Sequence, residues 1–109
     1  MAIKIVVSNK VGFKVKGNIT NEAGIPEPFE FTVVAERLDT DGIEATTRSE
    51  ASMVDFLAQI ITDWKGVKDE DGAPVPYSEE ALRQLCKIAG LVGLMFSAYF
   101  AEVGAKAKN

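Results

Sequence analysis

Fourteen consecutive residues, Ile88 to Ala101 (IAGLVGLMFSAYFA), carry no charge and no proline, and only Ser97 and Tyr99 among them bear a hydroxyl. They lie inside a stretch that otherwise reads as an amphipathic helix. A surface helix of a soluble protein has one apolar stripe and one wet face, whereas this segment is apolar most of the way round and must be covered on both sides. A bilayer span needs about 20 such residues, so the run is too short to cross a membrane. Its cover is therefore expected to be protein, from this chain or from another.

The rest of the chain limits what that cover can be. With 109 residues, the sequence is long enough for a single domain with a modest core. A hydrophobic content of 47% beside 26% charged residues fits a folded soluble protein and argues against disorder. The start, Met1-Ala2-Ile3-Lys4-Ile5, lacks the apolar core and cleavage site of a signal peptide. Cys86 is the only cysteine, so no internal disulfide can form, which fits a reducing cytoplasm.

The period of the apolar residues changes along the chain. Val11, Phe13, Val15 and Ile19 alternate with Gly12, Lys14, Lys16 and polar residues, the period of two expected of a half-buried strand. Asn21 to Pro26 reads as a turn, and Phe29, Phe31, Val33 and Ala35 then alternate again. Ile3 to Val7 reads as a further short strand. Asp39-Thr40-Asp41-Gly42 makes the next turn. After it, Val54, Leu57, Ile61 and Trp64 recur at steps of three and four, predicting a short helix capped by Ser49 or Ser52 and ending at Gly66.

Gly66 to Tyr77 is a polar connector broken by Gly72, Pro74 and Pro76. Ser78 then caps a second helix running from Glu79 to about Gly104, roughly 40 Å long. Leu82, Leu85, Ala89, Val92, Phe96, Tyr99 and Val103 keep a three-four rhythm and predict its core-facing seam. The expected fold is α+β: a small N-terminal antiparallel sheet, a short helix and a long C-terminal helix. It forms one domain over 1–109, with the sheet in 1–40 and the helical part in 50–104.

Catalytic chemistry finds little footing. The chain has no histidine, which removes imidazole bases and imidazole metal ligands. Cys86 has no base beside it, and no glycine-rich phosphate loop follows a strand. Asp69-Glu70-Asp71-Gly72 places its glycine too early for a calcium loop. The expectation is a non-enzymatic protein with no cofactor and no metal.

Charge offers a second lead. Residues 1–20 hold Lys4, Lys10, Lys14 and Lys16 and no acid, so a net charge of −4 for the chain leaves −8 on the remainder. Lysines suit the solvent face of an edge strand. They would also suit head-to-tail self-association or nucleic acid, although the acidic total argues against the latter.

The surplus apolar surface is the stronger lead. Leu91, Leu94, Met95 and Phe100 lie off the seam, and burying each would be worth about 1.5–3 kcal/mol. Their sum, roughly 6–12 kcal/mol, rivals the whole stability of a small domain. The short helix could cover part of this face, but it is only about half as long as the helix it would cover.

The connector and its flanks carry a resemblance. Asp63-Trp64-Lys65-Gly66-Val67, the acidic Asp/Gly turn Asp69–Gly72, and Pro76-Tyr77-Ser78 opening the last helix together resemble the signature region of phage tail assembly chaperones. Tyr99 takes the place of that family's late aromatic. Phe31 to Leu38 resembles its strand ending in Arg-Leu. The uncharged run Ile88–Ala101 departs from many relatives, which carry charge or proline early in the last helix.

The resemblance implies a protein of a long-tailed phage or prophage that acts in the cytoplasm of the bacterial host and is absent from the mature virion. It would coat the hydrophobic tape measure protein, hand it to tail tube subunits and self-associate as a homo-oligomer. The residues expected to touch partners are Trp64, Leu91, Val92, Leu94, Phe96, Tyr99 and Phe100, because aromatic anchors dominate such surfaces. The alternative is a structural tail tube or adaptor subunit.

Overall fold

The computed structural model describes residues 9–48 and 52–104. The expected strand at Ile3–Val7 and the alternative cap Ser49 lie outside them. The first two elements are long antiparallel strands, β1 (Lys10–Thr20) and β2 (Pro26–Glu36). Their register sets Val11 opposite Ala35, Phe13 opposite Val33 and Val15 opposite Phe31, so the alternating apolar residues of both strands fall on one face. All six are buried. The turn is held by Asn21, whose Oδ1 accepts from the backbone of Ala23 and Ile25 at 2.9 and 3.0 Å. On the opposite face Lys14 and Lys16 reach Glu30 at 3.6 and 4.0 Å, exposed pairs that add little stability. Ile19, expected on the inner face, is exposed because the hairpin outruns the layer that covers it.

Asp39-Thr40-Asp41-Gly42 opens a helix, α1 (Thr40–Arg48), where only a turn was expected. The Asp39 carboxylate accepts from the Gly42 amide at 2.8 Å, so the residue that suits a turn serves here as an N-cap. Ser52 caps the next helix, α2 (Met53–Ile60), its hydroxyl accepting from Asp55 N at 3.2 Å. The helix expected to reach Gly66 stops at Ile60. The chain turns extended at Ile61 and forms β3 (Ile61–Lys65), antiparallel to β2 on the side away from β1. Ile60-Ile61-Thr62 is a β-branched run that favours this change. Ile61 and Trp64 are buried from the strand, so their spacing fitted a helix without belonging to one.

The long C-terminal helix is two helices, α3 (Glu79–Leu85) and α4 (Leu91–Val103). Between them the bonds tighten to the preceding third residue, from Lys87 to Gln84, Ile88 to Leu85 and Leu91 to Ile88, each at 3.1 Å. Gly90 then takes a φ of +84°, where a side chain is disfavoured. The break resets the helical phase. Leu91, Met95, Tyr99 and Val103, four residues apart, form the buried stripe of α4, which packs across β1. Leu91 and Met95 therefore belong to the core, whereas Ala89 of the expected seam is exposed.

A helix-on-helix layer does form over the other side of α4. Phe56 of α2 lies 5.5 Å from Phe96, 5.9 Å from Tyr99 and 5.8 Å from Phe100, ring centre to ring centre. Arg83 of α3 bridges to Asp55 of α2 at 2.9 Å and to Glu79 at 3.4 Å. The buried residues form one hydrophobic cluster drawn from the sheet, α2, α3 and α4, the α+β arrangement expected.

Candidate docking groove

Trp64 reaches from β3 to the segment that follows it. Its ring is buried, its indole Nε1 donates to the Val75 carbonyl at 2.7 Å, and Tyr77 meets it edge-on at 5.0 Å. The segment so held is folded and is more than a polar connector. Val75 N donates to Val67 O at 2.9 Å, Lys68 and Pro74 form an antiparallel bridge, and Asp69 N donates to Ala73 O at 3.0 Å. At the tip the Asp69 carboxylate accepts from Asp71 N and Ala73 N at 2.9 and 3.0 Å. Gly72 at the same turn has a φ of +80°. Residues 67–75 thus make a small hairpin arm standing off the end of β3.

A groove of about 600 Å³ opens between this arm and α3. Trp64, Val67, Val75, Ala81, Leu85 and Ile88 make its apolar surface, and Lys68, Asp69, Glu70 and Glu80 stand among its polar lining. A smaller depression of about 140 Å³ adjoins it, sharing Val67, Lys68, Leu85 and Ile88 and extending to Ile19, Phe29 and Leu91. Ile88 is 38% exposed and Leu94 43%. Leu94 packs towards Gly17, where an added Cβ would come within 3.2 Å of it and within 2.7 Å of the Phe29 ring. Exposed apolar surface therefore lies in the groove, across the α3–α4 junction and over the hairpin half of β1.

The seven residues expected to meet partners separate into distinct environments. Trp64, Leu91 and Tyr99 are buried in the chain's own core, Trp64 and Leu91 each lining one of the two depressions from beneath. Phe96 and Phe100 are half-buried against Phe56, and Val92 is half-buried. Leu94 is the one of the seven classed as exposed. The apolar groove residues not expected to meet partners are Val67, Val75, Ala81, Leu85 and Ile88. Val67 and Val75 flank the turn closed by Asp69 and Ala73, a hairpin pattern that the prolines masked.

Burial or an ion pair shifts three titratable groups around the groove. Burial pushes the Cys86 thiol up, with Arg83 acting weakly the other way, so sulfur is protonated at neutral pH. Burial likewise raises the Tyr77 phenol. The hydrogen bond from Arg83 holds Asp55 below the usual carboxylate range. Among the described residues, no group of three or more His, Cys, Asp or Glu could hold a metal ion, and no helix is long and apolar enough to cross a membrane.

A family model described as YdaY prophage protein matches residues 18–109, a span that contains every residue of both depressions. The chain belongs to the YdaY prophage protein family. No curated protein and no solved structure matches it. The prophage part of the resemblance around Trp64 is met by this membership; the YdaY description itself names no chaperone.

Proposed function

We propose that the chain is a non-enzymatic tail assembly chaperone of a prophage. It keeps the hydrophobic tape measure protein soluble in the host cytoplasm until tail tube subunits take it over. The observation that carries this reading is the open apolar groove beside Trp64, continued by Ile88 and Leu94 on the surface. A domain this small gains by burying such surface, and a chaperone is a protein that leaves it open for a client. Membership of a prophage family and the resemblance of residues 63–82 to tail assembly chaperones point the same way.

Co-expression with the prophage's tape measure protein tests the proposal. Ile88→Asp combined with Leu94→Ser changes two exposed side chains, so far-UV circular dichroism should be unchanged. The soluble yield of the tape measure protein should fall several-fold. An unchanged yield with a folded variant would sink the proposal. A second reading, a tail tube or adaptor subunit, draws on the eleven-residue β1 at the sheet edge. It expects the protein in purified particles, where mass spectrometry would find it.

A further inference from the structure

We infer that the occupant of the groove is an amphipathic helical segment of the partner whose apolar face is flanked by lysine or arginine. This rests on the chaperone reading and adds the chemistry by which the client is chosen. The groove is formed before anything enters it: the Trp64–Val75 bond, the Val67–Val75 bond and the Asp69 cap fix one wall, and α3 is the other. A site that needs no ordering loses less free energy on binding. Its volume of about 600 Å³ falls in the range, roughly 300–1,000 Å³, of pockets that bury a ligand's apolar surface. For a peptide, that surface is supplied by side chains at i, i+3 or i+4 and i+7 of a helix.

The lining charges set the sign of the flanks. Asp69, Glu70 and Glu80 stand against one cation, Lys68, leaving the lining at −2. Arg83, the cation of α3 itself, is committed to Asp55 and Glu79 on the outer side. The side chains of Glu70 and Glu80 enter no hydrogen bond or ion pair among the described residues. Two carboxylates therefore stand beside an apolar trough with their charge unanswered. A basic flank satisfies them, whereas an acidic one meets repulsion.

The test uses the full chain and two tryptophan-free helical peptides of roughly five turns. Both carry leucine on one face, with lysine on the other face of the first peptide and glutamate on that of the second. Trp64, the only tryptophan, lines the groove and reports binding by fluorescence. The leucine–lysine peptide should bind at least about tenfold more tightly than the leucine–glutamate one. Ile88→Asp should weaken it about tenfold although it adds an acid, which separates groove binding from simple charge attraction. Glu70→Lys with Glu80→Lys should reverse the preference between the peptides.

Equal binding of the two peptides overturns the inference, as does an Ile88→Asp variant that binds as the parent does. So does light scattering that finds a dimer which Ile88→Asp dissociates and the peptide does not, because the groove then belongs to a second copy. If the leucine–lysine peptide binds as expected but the tape measure protein is never solubilised, the groove chemistry stands and the chaperone reading falls. If solubilisation survives Ile88→Asp alone, the client enters elsewhere and the groove assignment falls.

Discussion

Tyr99 joins the core to the end of the sheet. Its ring is fully buried and meets Phe13 at 5.8 Å, while its hydroxyl donates to Glu36 O at 2.8 Å and accepts from Leu38 N at 3.0 Å. These two backbone groups lie where β2 ends and its ladder can no longer serve them. Tyr99→Phe keeps the packing and strands both, so it should cost about 1–3 kcal/mol, read as a lower urea midpoint with an unchanged slope. Burial is the main influence on the phenol and raises its pKa above the ordinary tyrosine range. A raised folded value means stability that is complete below the unfolded pKa, about 10, and lost as pH rises through the folded one. The gap in thermal midpoint between the parent and Tyr99→Phe should therefore narrow above about pH 10. A gap that widens there would contradict this account.

Gly90 plays the corresponding part for the elements, since it is where two helices replace one. No heavy atom lies within 4 Å of a Cβ built on it, so Gly90→Ala meets no clash and reports backbone conformation alone. At a φ of +84° the substitution should cost about 1–2 kcal/mol with no gain in helix content by circular dichroism. A more helical and equally stable variant would mean the chain accepts one continuous helix.

The sequence did not show this break. Residues 79–104 contain no proline, and their apolar spacing fits a single helix as well as it fits two. In an all-apolar run the buried stripe cannot be picked out, which is why Leu91 and Met95 fall off the expected seam. The hairpin was legible because period two and the Asn21 turn each exclude a helix. β3 was not, because Ile61 and Trp64 stand three apart, a helical spacing, and reach one buried face of the strand only through the register shift opposite Val34 and Ala35. The Trp64 corner of the site was legible through its resemblance. The arm that makes it a groove rests on backbone bonds between Val67 and Val75, which spacing alone does not reveal.

Across the whole molecule, one cluster ties the sheet to α2, α3 and α4, and Trp64 sits in it beside residues from each layer. Unfolding in urea should therefore be a single event, with Trp64 fluorescence and far-UV circular dichroism tracing the same curve. Two separated curves would show that the arm or the helices come away first. The same architecture gathers the two ends of the described core at one pole. Asn9 O accepts from Arg37 N at 2.7 Å, and the Arg37 guanidinium donates to Val103 O at 2.8 Å, so the start of β1 and the last turn of α4 meet at a single residue. Ile19, at the outer limit of the smaller depression, lies some ten residues along β1, roughly 33 Å away. A probe coupled at the described pole, to Asn9 or Gly104, would thus sit a strand's length from Ile19 and the depression it bounds.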